Sequence, residues 1–133
     1  MWPIAAHAQD GWRAPASATG RSNPIPPTRE SLASGQRAFA RHCSACHEGG
    51  EEGGGAAAAA LEAEAIDFSK TDLSSQTDGE LFWKVTMGRK PMPAFQRKLD
   101  DEARWNLINY IKSLSPRPVR TVPPRATPTK AKP

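Results

Sequence analysis

The stretch that decides the fold is Cys43-Ser44-Ala45-Cys46-His47, in which two residues separate two thiols and a histidine follows at once. This spacing is typical of a c-type haem attachment site, where both cysteines form thioethers to the porphyrin. The histidine then binds the iron as its proximal ligand. The motif therefore predicts Cys43 and Cys46 as covalent attachment points and His47 as the first iron ligand.

Two other kinds of site share the Cys-x-x-Cys spacing, namely thiol redox sites and halves of zinc sites. A thioredoxin-like site needs a βαβ context, and no stretch of the chain alternates as a strand does. A zinc site would draw His42, Cys43, Cys46 and His47 together from six consecutive positions, which a helical backbone makes difficult. Haem attachment is the favoured interpretation, zinc and thiol redox stay open, and His42 is expected to face outward.

A second iron ligand would come from one of three methionines. Met1 is terminal, and Met87 falls on a predicted helical apolar face, where packing in the core is the ordinary explanation. Met92 lies between Pro91 and Pro93, and an extended backbone beside proline allows its sulfur to be directed at one point. The sequence therefore predicts Met92 as the second axial ligand and Met87 as the alternative.

The prolines divide the chain into three segments. Five of the thirteen fall in residues 1–29, six in residues 116–133, and two flank Met92. Proline fixes φ and removes a hydrogen-bond donor. We therefore expect a disordered leader over residues 1–29, a domain over residues 30–115 and a disordered, basic, Pro-rich tail over residues 116–133. A domain this small usually needs a metal, a disulfide or another cross-link to be stable, so the apoprotein should be unfolded or molten.

Apolar residues at helical spacing occur throughout the middle segment. Ser31 is a plausible N-cap for the first helix, and Thr77 with Glu80 fits a capping box before a later one. Gly35 lies within the apolar stripe of the first helix, where glycine costs about 1 kcal/mol relative to alanine. Close approach by another helix would explain it. The expected helices span about residues 31–43, 56–65, 78–87 and 100–115.

In these features the chain resembles a class I, single-haem c-type cytochrome over roughly residues 30–115. The resemblance rests on the attachment motif, on Met92-Pro93-Ala94-Phe95, and on Gly35, Phe39, Leu107 and Tyr110. It implies an all-α, small cytochrome c fold with three to four short helices around one covalently bound haem c. In this family a carbonyl in the loop after the motif accepts a hydrogen bond from the proximal histidine, and the matching position is Ala56.

The resemblance implies a single-electron carrier rather than an enzyme, working between respiratory or dehydrogenase partners. No acid/base pair, Ser/His arrangement or phosphate loop supports another enzyme class. If Met92 is not a stable ligand, the open position on iron would suit a haem catalyst or sensor. A haem subunit of a larger oxidoreductase is a further alternative, with the proline-rich ends as tethers.

The net charge of +4 comes from the two ends, since residues 30–115 carry ten basic against thirteen acidic residues. The domain offers no basic face for nucleic acid, and no run of about 18 apolar residues indicates a membrane span. Peripheral membrane association through the basic ends is a minority possibility, and a monomer is expected.

Around Met92, basic residues could form a docking ring for an acidic redox partner, or be ordinary solvated charges: Arg89, Lys90, Arg97 and Lys98.

Near the start of the chain, Ala6-His7-Ala8 fits the small-x-small pattern that precedes a secretory cleavage site. The basic and apolar regions that should come first are missing. We therefore expect the sequence to begin inside a signal peptide, with Gln9 as the mature N-terminus. This predicts a periplasmic or otherwise extracytoplasmic location in a bacterium.

Overall fold

A computed structural model of the protein describes residues 11–47 and 65–116. These stretches are helical, which confirms the all-α prediction. Most of the expected helix over residues 56–65 lies outside the described residues. None of the helices in the described part of the chain is long and apolar enough to cross a bilayer. The elements are α1 (Ala16–Thr19), α2 (Arg29–His42), α3 (Ser44–His47), a 3-10 helix (Phe68–Lys70), α4 (Asp78–Met87) and α5 (Asp101–Leu114).

Helix α4 begins and ends where the sequence predicts. The Thr77 hydroxyl accepts a hydrogen bond from the backbone N–H of Glu80 at 3.1 Å, and Gly88 ends the helix at a φ of 66°, which favours glycine. The predicted capping box would also have the Glu80 carboxylate accept a hydrogen bond from the backbone N–H of Thr77. The carboxylate instead accepts from the N–H of Ala14 at 3.4 Å and lies 3.7 Å from the Lys84 ammonium.

Helix α2 begins at Arg29, earlier than predicted, because its N-cap is Thr28 rather than Ser31. The Thr28 hydroxyl accepts from the backbone N–H of Ser31 at 3.1 Å. Ser31 itself is buried, and its hydroxyl donates to Asn106 at 2.7 Å and accepts from Asn109 at 2.8 Å. Thr28 and Ser31 both carry a hydroxyl that could cap a helix or form a buried hydrogen bond. The local sequence therefore could not show which of them is the N-cap.

Helices α2 and α5 cross in close contact. A Cβ atom built on Gly35 would lie 2.2 Å from the carbonyl oxygen of Asn106 and 2.7 Å from the Cβ of Tyr110. The two backbones therefore touch directly, which confirms the predicted close approach. One turn later, the ring of Phe39 packs 5.4 Å from that of Tyr110 and 6.2 Å from that of Phe68, measured between centroids.

Residues 11–28, here called the N-terminal strap, pack against α4 and α5. Asn23 donates to the carbonyl of Trp105 at 3.3 Å, and the Arg21 guanidinium lies 4.9 Å from the ring centroid of Phe82. The prediction of a disordered leader is therefore wrong for this part of residues 1–29. Proline indicates an irregular backbone, but an irregular segment is ordered when its polar groups find partners.

Replacing Gly35 with alanine should lower the free energy of unfolding by about 1–3 kcal/mol, because overpacking outweighs the gain in helix propensity. Chemical denaturation of the haem-loaded protein measures the change. The control is Gln36→Ala on the exposed side of the same helix, which should stay within about 0.5 kcal/mol of wild type. Equal stabilities for Gly35→Ala and wild type would contradict the close crossing.

Candidate functional site

A cavity of about 290 Å³ brings together the residues that the motif analysis selected. Cys43, Cys46 and His47 line it, and so does Met92 from the loop between α4 and α5. The rest of its lining is mainly apolar, and the apolar residues include Ile66, Phe68, Leu81, Val85, Phe95, Ile108 and Ile111.

The two thiols reach the cavity because only Cys43 separates α3 from α2. Cys43 is the C-cap of α2, and its carbonyl accepts hydrogen bonds from the N–H groups of Cys46 at 3.1 Å and His47 at 2.9 Å. Neither cysteine forms a disulfide bond. Burial, together with the nearby Cys46, raises the pKa of Cys43 to about 12. A thiol held in its protonated form is a poor nucleophile, which weighs against a redox role for Cys43.

The imidazole of His47 is oriented by a backbone carbonyl. Its Nδ1 lies 2.9 Å from the carbonyl oxygen of Ile66, and its ring stacks on Phe68 with centroids 4.7 Å apart. Burial lowers the pKa of His47, and the hydrogen bond to Ile66 opposes that change. A neutral imidazole that donates from Nδ1 keeps the lone pair of Nε2 for a metal.

The carbonyl acceptor was expected at Ala56, and that prediction is wrong because Ile66 fills the role. Ala56 itself lies outside the described residues. Every residue carries a carbonyl, so only the path of the chain decides which one meets the ring. His42 also differs from expectation, since it is half-buried and its ring packs 5.7 Å from that of Phe95.

The two internal methionines have different surroundings. Met92 is half-buried and lines the cavity, and its backbone exchanges hydrogen bonds of 2.8 and 3.0 Å with Arg89. Met87 is 49% exposed, so its predicted place in the core is wrong. Met87 comes two residues after the buried Val85, and positions two residues apart on a helix point about 200° away from each other. Met87 therefore falls on the solvent side of α4.

The donor set fits a c-type haem better than a zinc ion. Within residues 11–47 and 65–116, no three His, Cys, Asp or Glu side chains converge as ligands for a metal ion. A porphyrin needs apolar walls, two thiols, an imidazole with a free nitrogen and a soft sixth ligand. All of these line the cavity. When bound, the haem supplies an iron that gains and loses one electron.

Among the cavity-lining residues that the motif analysis did not select are Trp12, Gln76 and Lys84. Lys84 is 6% exposed and donates to the side-chain oxygen of Gln76 at 2.7 Å. Burial lowers its pKa, while Glu80 opposes that change. In the sequence, Glu80 and Lys84 form an i,i+4 pair that is typical of an exposed helix surface. No local signal indicates that another segment covers that surface.

A family model described as cytochrome C oxidase, cbb3-type, subunit III matches residues 30–111. The chain belongs to the class I, single-haem c-type cytochromes. This cytochrome is 35% identical over 85 residues to cytochrome c6 of Picosynechococcus sp., a match that covers 59% of this chain and 69% of the relative. It is 30% identical over 84 residues to cytochrome c6 of Bumilleriopsis filiformis, covering 63% and 92% of the two chains.

A third relative is cytochrome c6 of Diacronema lutheri, 29% identical over 84 residues that cover 62% of this cytochrome and 94% of the relative. The family establishes the cofactor and the general role. The cytochrome carries one covalently bound haem c and is an electron carrier rather than an enzyme. The sequence-based predictions of family, cofactor and role are confirmed.

Asp67 holds the segment that orients His47. Its carboxylate accepts hydrogen bonds from the backbone N–H of Ser69 at 2.9 Å and from the Ser69 hydroxyl at 2.6 Å. These bonds, with a smaller effect of Lys70, lower the pKa of Asp67. A carboxylate with a lowered folded-state pKa contributes stability above its unfolded-state pKa, and loses it as the pH falls through the folded-state value.

Asp67→Asn should therefore lower the thermal midpoint of the cytochrome at neutral pH. The difference from wild type should narrow as the pH falls through the folded-state pKa of Asp67. Thermal unfolding across the acidic range measures both. A Ser69→Ala background should shrink the pH-dependent part, because one of the two hydrogen bonds is then absent. A difference that does not vary with pH would contradict this role for the charge.

Proposed function

We propose that Cys43 and Cys46 attach the haem through two thioethers and that His47 and Met92 are the axial ligands of its iron. The observation that carries this proposal is that Met92, distant in sequence from the motif, lines the same cavity as the motif residues. The hydrogen bond between His47 and the Ile66 carbonyl supports it further, since it leaves Nε2 available for coordination.

Two side-chain ligands would leave no position on iron for a substrate, which favours single-electron exchange over the making and breaking of bonds in a substrate. The mainly apolar lining of the cavity disfavours water, and a methionine ligand raises the reduction potential. We infer a carrier of relatively high potential. Its donor would be a dehydrogenase or a quinol-oxidising complex, and its acceptor an oxidase.

Met92→Leu should remove the far-red sulfur-to-iron band of the ferric protein and lower the reduction potential, because a thioether ligand is lost while the apolar volume is kept. Optical spectroscopy and redox titration measure both changes. The control is Met87→Leu, which replaces an exposed methionine and should keep the band. A band that persists in Met92→Leu would contradict the assignment. Its absence from wild type would favour the catalyst or sensor alternative.

We propose that the basic rim, defined as Arg89, Lys90, Arg97 and Lys98, docks an acidic surface of a redox partner. All four side chains are exposed, and Arg89 and Lys90 also line the cavity. The Lys98 ammonium lies 5.6 Å from the ring of Phe95, which is itself part of the cavity wall. These positions support docking beside the haem. The sequence also predicts an acidic cluster opposite the rim, Glu48, Glu51 and Glu52, which lies outside the described residues.

Reversing two rim charges, in Lys90→Glu with Lys98→Glu, should slow electron transfer to an acidic redox protein by about tenfold or more at low salt. The difference from wild type should shrink as ionic strength rises. The matched control is Arg29→Glu with Arg37→Glu, which makes the same net charge change at exposed positions of α2. If the rim and control variants respond alike to salt, the rim is not the docking surface.

A haem subunit of a larger oxidoreductase is a second candidate function. The description of the matching family model, a cbb3-type oxidase subunit, favours it. Purification from the native host distinguishes the two candidates, because a subunit copurifies with the larger complex and a carrier behaves as a monomer.

We also propose that the cytochrome works outside the cytoplasm, with a bacterial periplasm as the specific location. The small-x-small pattern of Ala6-His7-Ala8 supports this. Those residues lie outside the part of the chain that the structure describes.

A further inference from the structure

We propose that the N-terminal strap is part of the haem site, because it brings Trp12 over a polar part of the cavity and thereby raises the reduction potential of the haem. This inference rests on the haem site proposed above. The family match begins at residue 30, so the strap, residues 11–28, lies upstream of the region that defines the family.

Trp12 lines the cavity together with two cationic side chains. Its ring centroid lies 5.2 Å from the Lys84 ammonium and 5.5 Å from the Arg89 guanidinium carbon. Contacts of this kind hold an aromatic ring against cations. Lys84 in turn bonds to Gln76, so these four residues form one polar patch in a mainly apolar lining.

The polar patch suits the two carboxylates that a haem carries at one edge. Carboxylates that are shielded from water need cationic or hydrogen-bonding partners. Lys84 and Arg89 supply two cations, and the indole ring of Trp12 lies within 5.5 Å of both. The patch therefore gives the haem carboxylates partners in a place where the strap limits the access of water.

The strap is held on α4 by contacts at several points along its length. The N–H of Ala14 donates to the Glu80 carboxylate at 3.4 Å, and the Thr77 hydroxyl donates to the carbonyl of Thr19 at 2.8 Å. Further along, the Arg21 guanidinium lies over the ring of Phe82, as described above. These contacts place Trp12 through the backbone of the strap as well as through its own ring.

Gly79 shows how closely the strap approaches α4. A Cβ atom on Gly79 would lie 2.1 Å from the carbonyl oxygen of Ala18 and 2.6 Å from that of Arg21. Any side chain at this position would push the strap away from the helix. Gly20, within the strap, is different, because its Cβ would meet only the carbonyl oxygen of Ala16 at 3.7 Å.

Covering a haem favours its reduced state. The ferric form carries one more positive charge than the ferrous form, and water stabilises that charge more than an apolar surrounding does. Burial is one of the means by which a protein sets a haem potential. Loss of the cover at Trp12 should therefore lower the potential, even though no iron ligand changes.

Trp12→Ala removes the ring, and Gly79→Ala displaces the strap while the ring remains in the chain. Both variants should lower the reduction potential, which spectroelectrochemical titration measures. Only variants whose ferric form retains the sulfur-to-iron band are compared. Trp12→Phe should restore most of the wild-type value. Gly20→Ala is the matched control and should equal wild type.

Limited proteolysis reports the attachment of the strap independently of the haem. Gly79→Ala should increase tryptic cleavage after Arg21 by about tenfold or more, because overpacking favours detachment of the strap. Gly20→Ala should be cleaved at the wild-type rate.

Lower potentials in Trp12→Ala and Gly79→Ala would support the inference. If cleavage increases in Gly79→Ala while both potentials equal wild type, the strap only packs against the domain and the inference is wrong. Absence of the sulfur-to-iron band from wild type would instead overturn the proposed ligand set. The failure of the ligand set and the failure of the strap's role are thus distinguishable.

Discussion

Direct contact between the backbones of α2 and α5 joins the two ends of the cytochrome domain. At Gly35 the carbonyl of Asn106 leaves no room even for a methyl group. Beside this contact Ser31, Asn106 and Asn109 exchange hydrogen bonds, so polar side chains that the crossing buries are satisfied. Because α3 follows α2 directly, the crossing also sets where the thiols and imidazole of the motif lie relative to Ile108 of α5.

The other side of the cavity depends on how the loop between α4 and α5 is held. The N–H of Phe95 donates to the carbonyl of Val85 at 3.0 Å, which ties the loop to α4. The buried Arg104 side chain of α5 donates to Thr86 at 2.5 Å and to the carbonyl of Leu99 at 3.0 Å. A loop fixed at both helices can hold Met92 in one position, which suits the ligand role proposed for it.

Several features of the fold and site could be predicted because local chemistry determines them. Thr77 and Gly88 mark the ends of α4 through a hydroxyl cap and a positive φ, and both act within one helical turn. The close helix approach at Gly35 could also be predicted, because a glycine in an apolar helical stripe costs helix stability unless another helix packs against it. Met92 differed from Met87 through its flanking prolines, and the structure brings only Met92 of these two to the cavity.

The features that could not be predicted depend on segments that are distant in sequence. Lys84 looks like an exposed partner of Glu80, but the strap covers that surface and buries it. The partner of His47 is the Ile66 carbonyl, a group that every residue possesses.

By itself the sequence determined the haem motif, the helical class and the ends of α4 and α5 to within one residue, because spacing and capping act over a few residues. The tertiary structure alone decided the order of the strap, the acceptor for His47 and the burial of Lys84. Burial and backbone hydrogen bonding depend on which distant segment packs against a surface, and the local sequence pattern does not predict that packing.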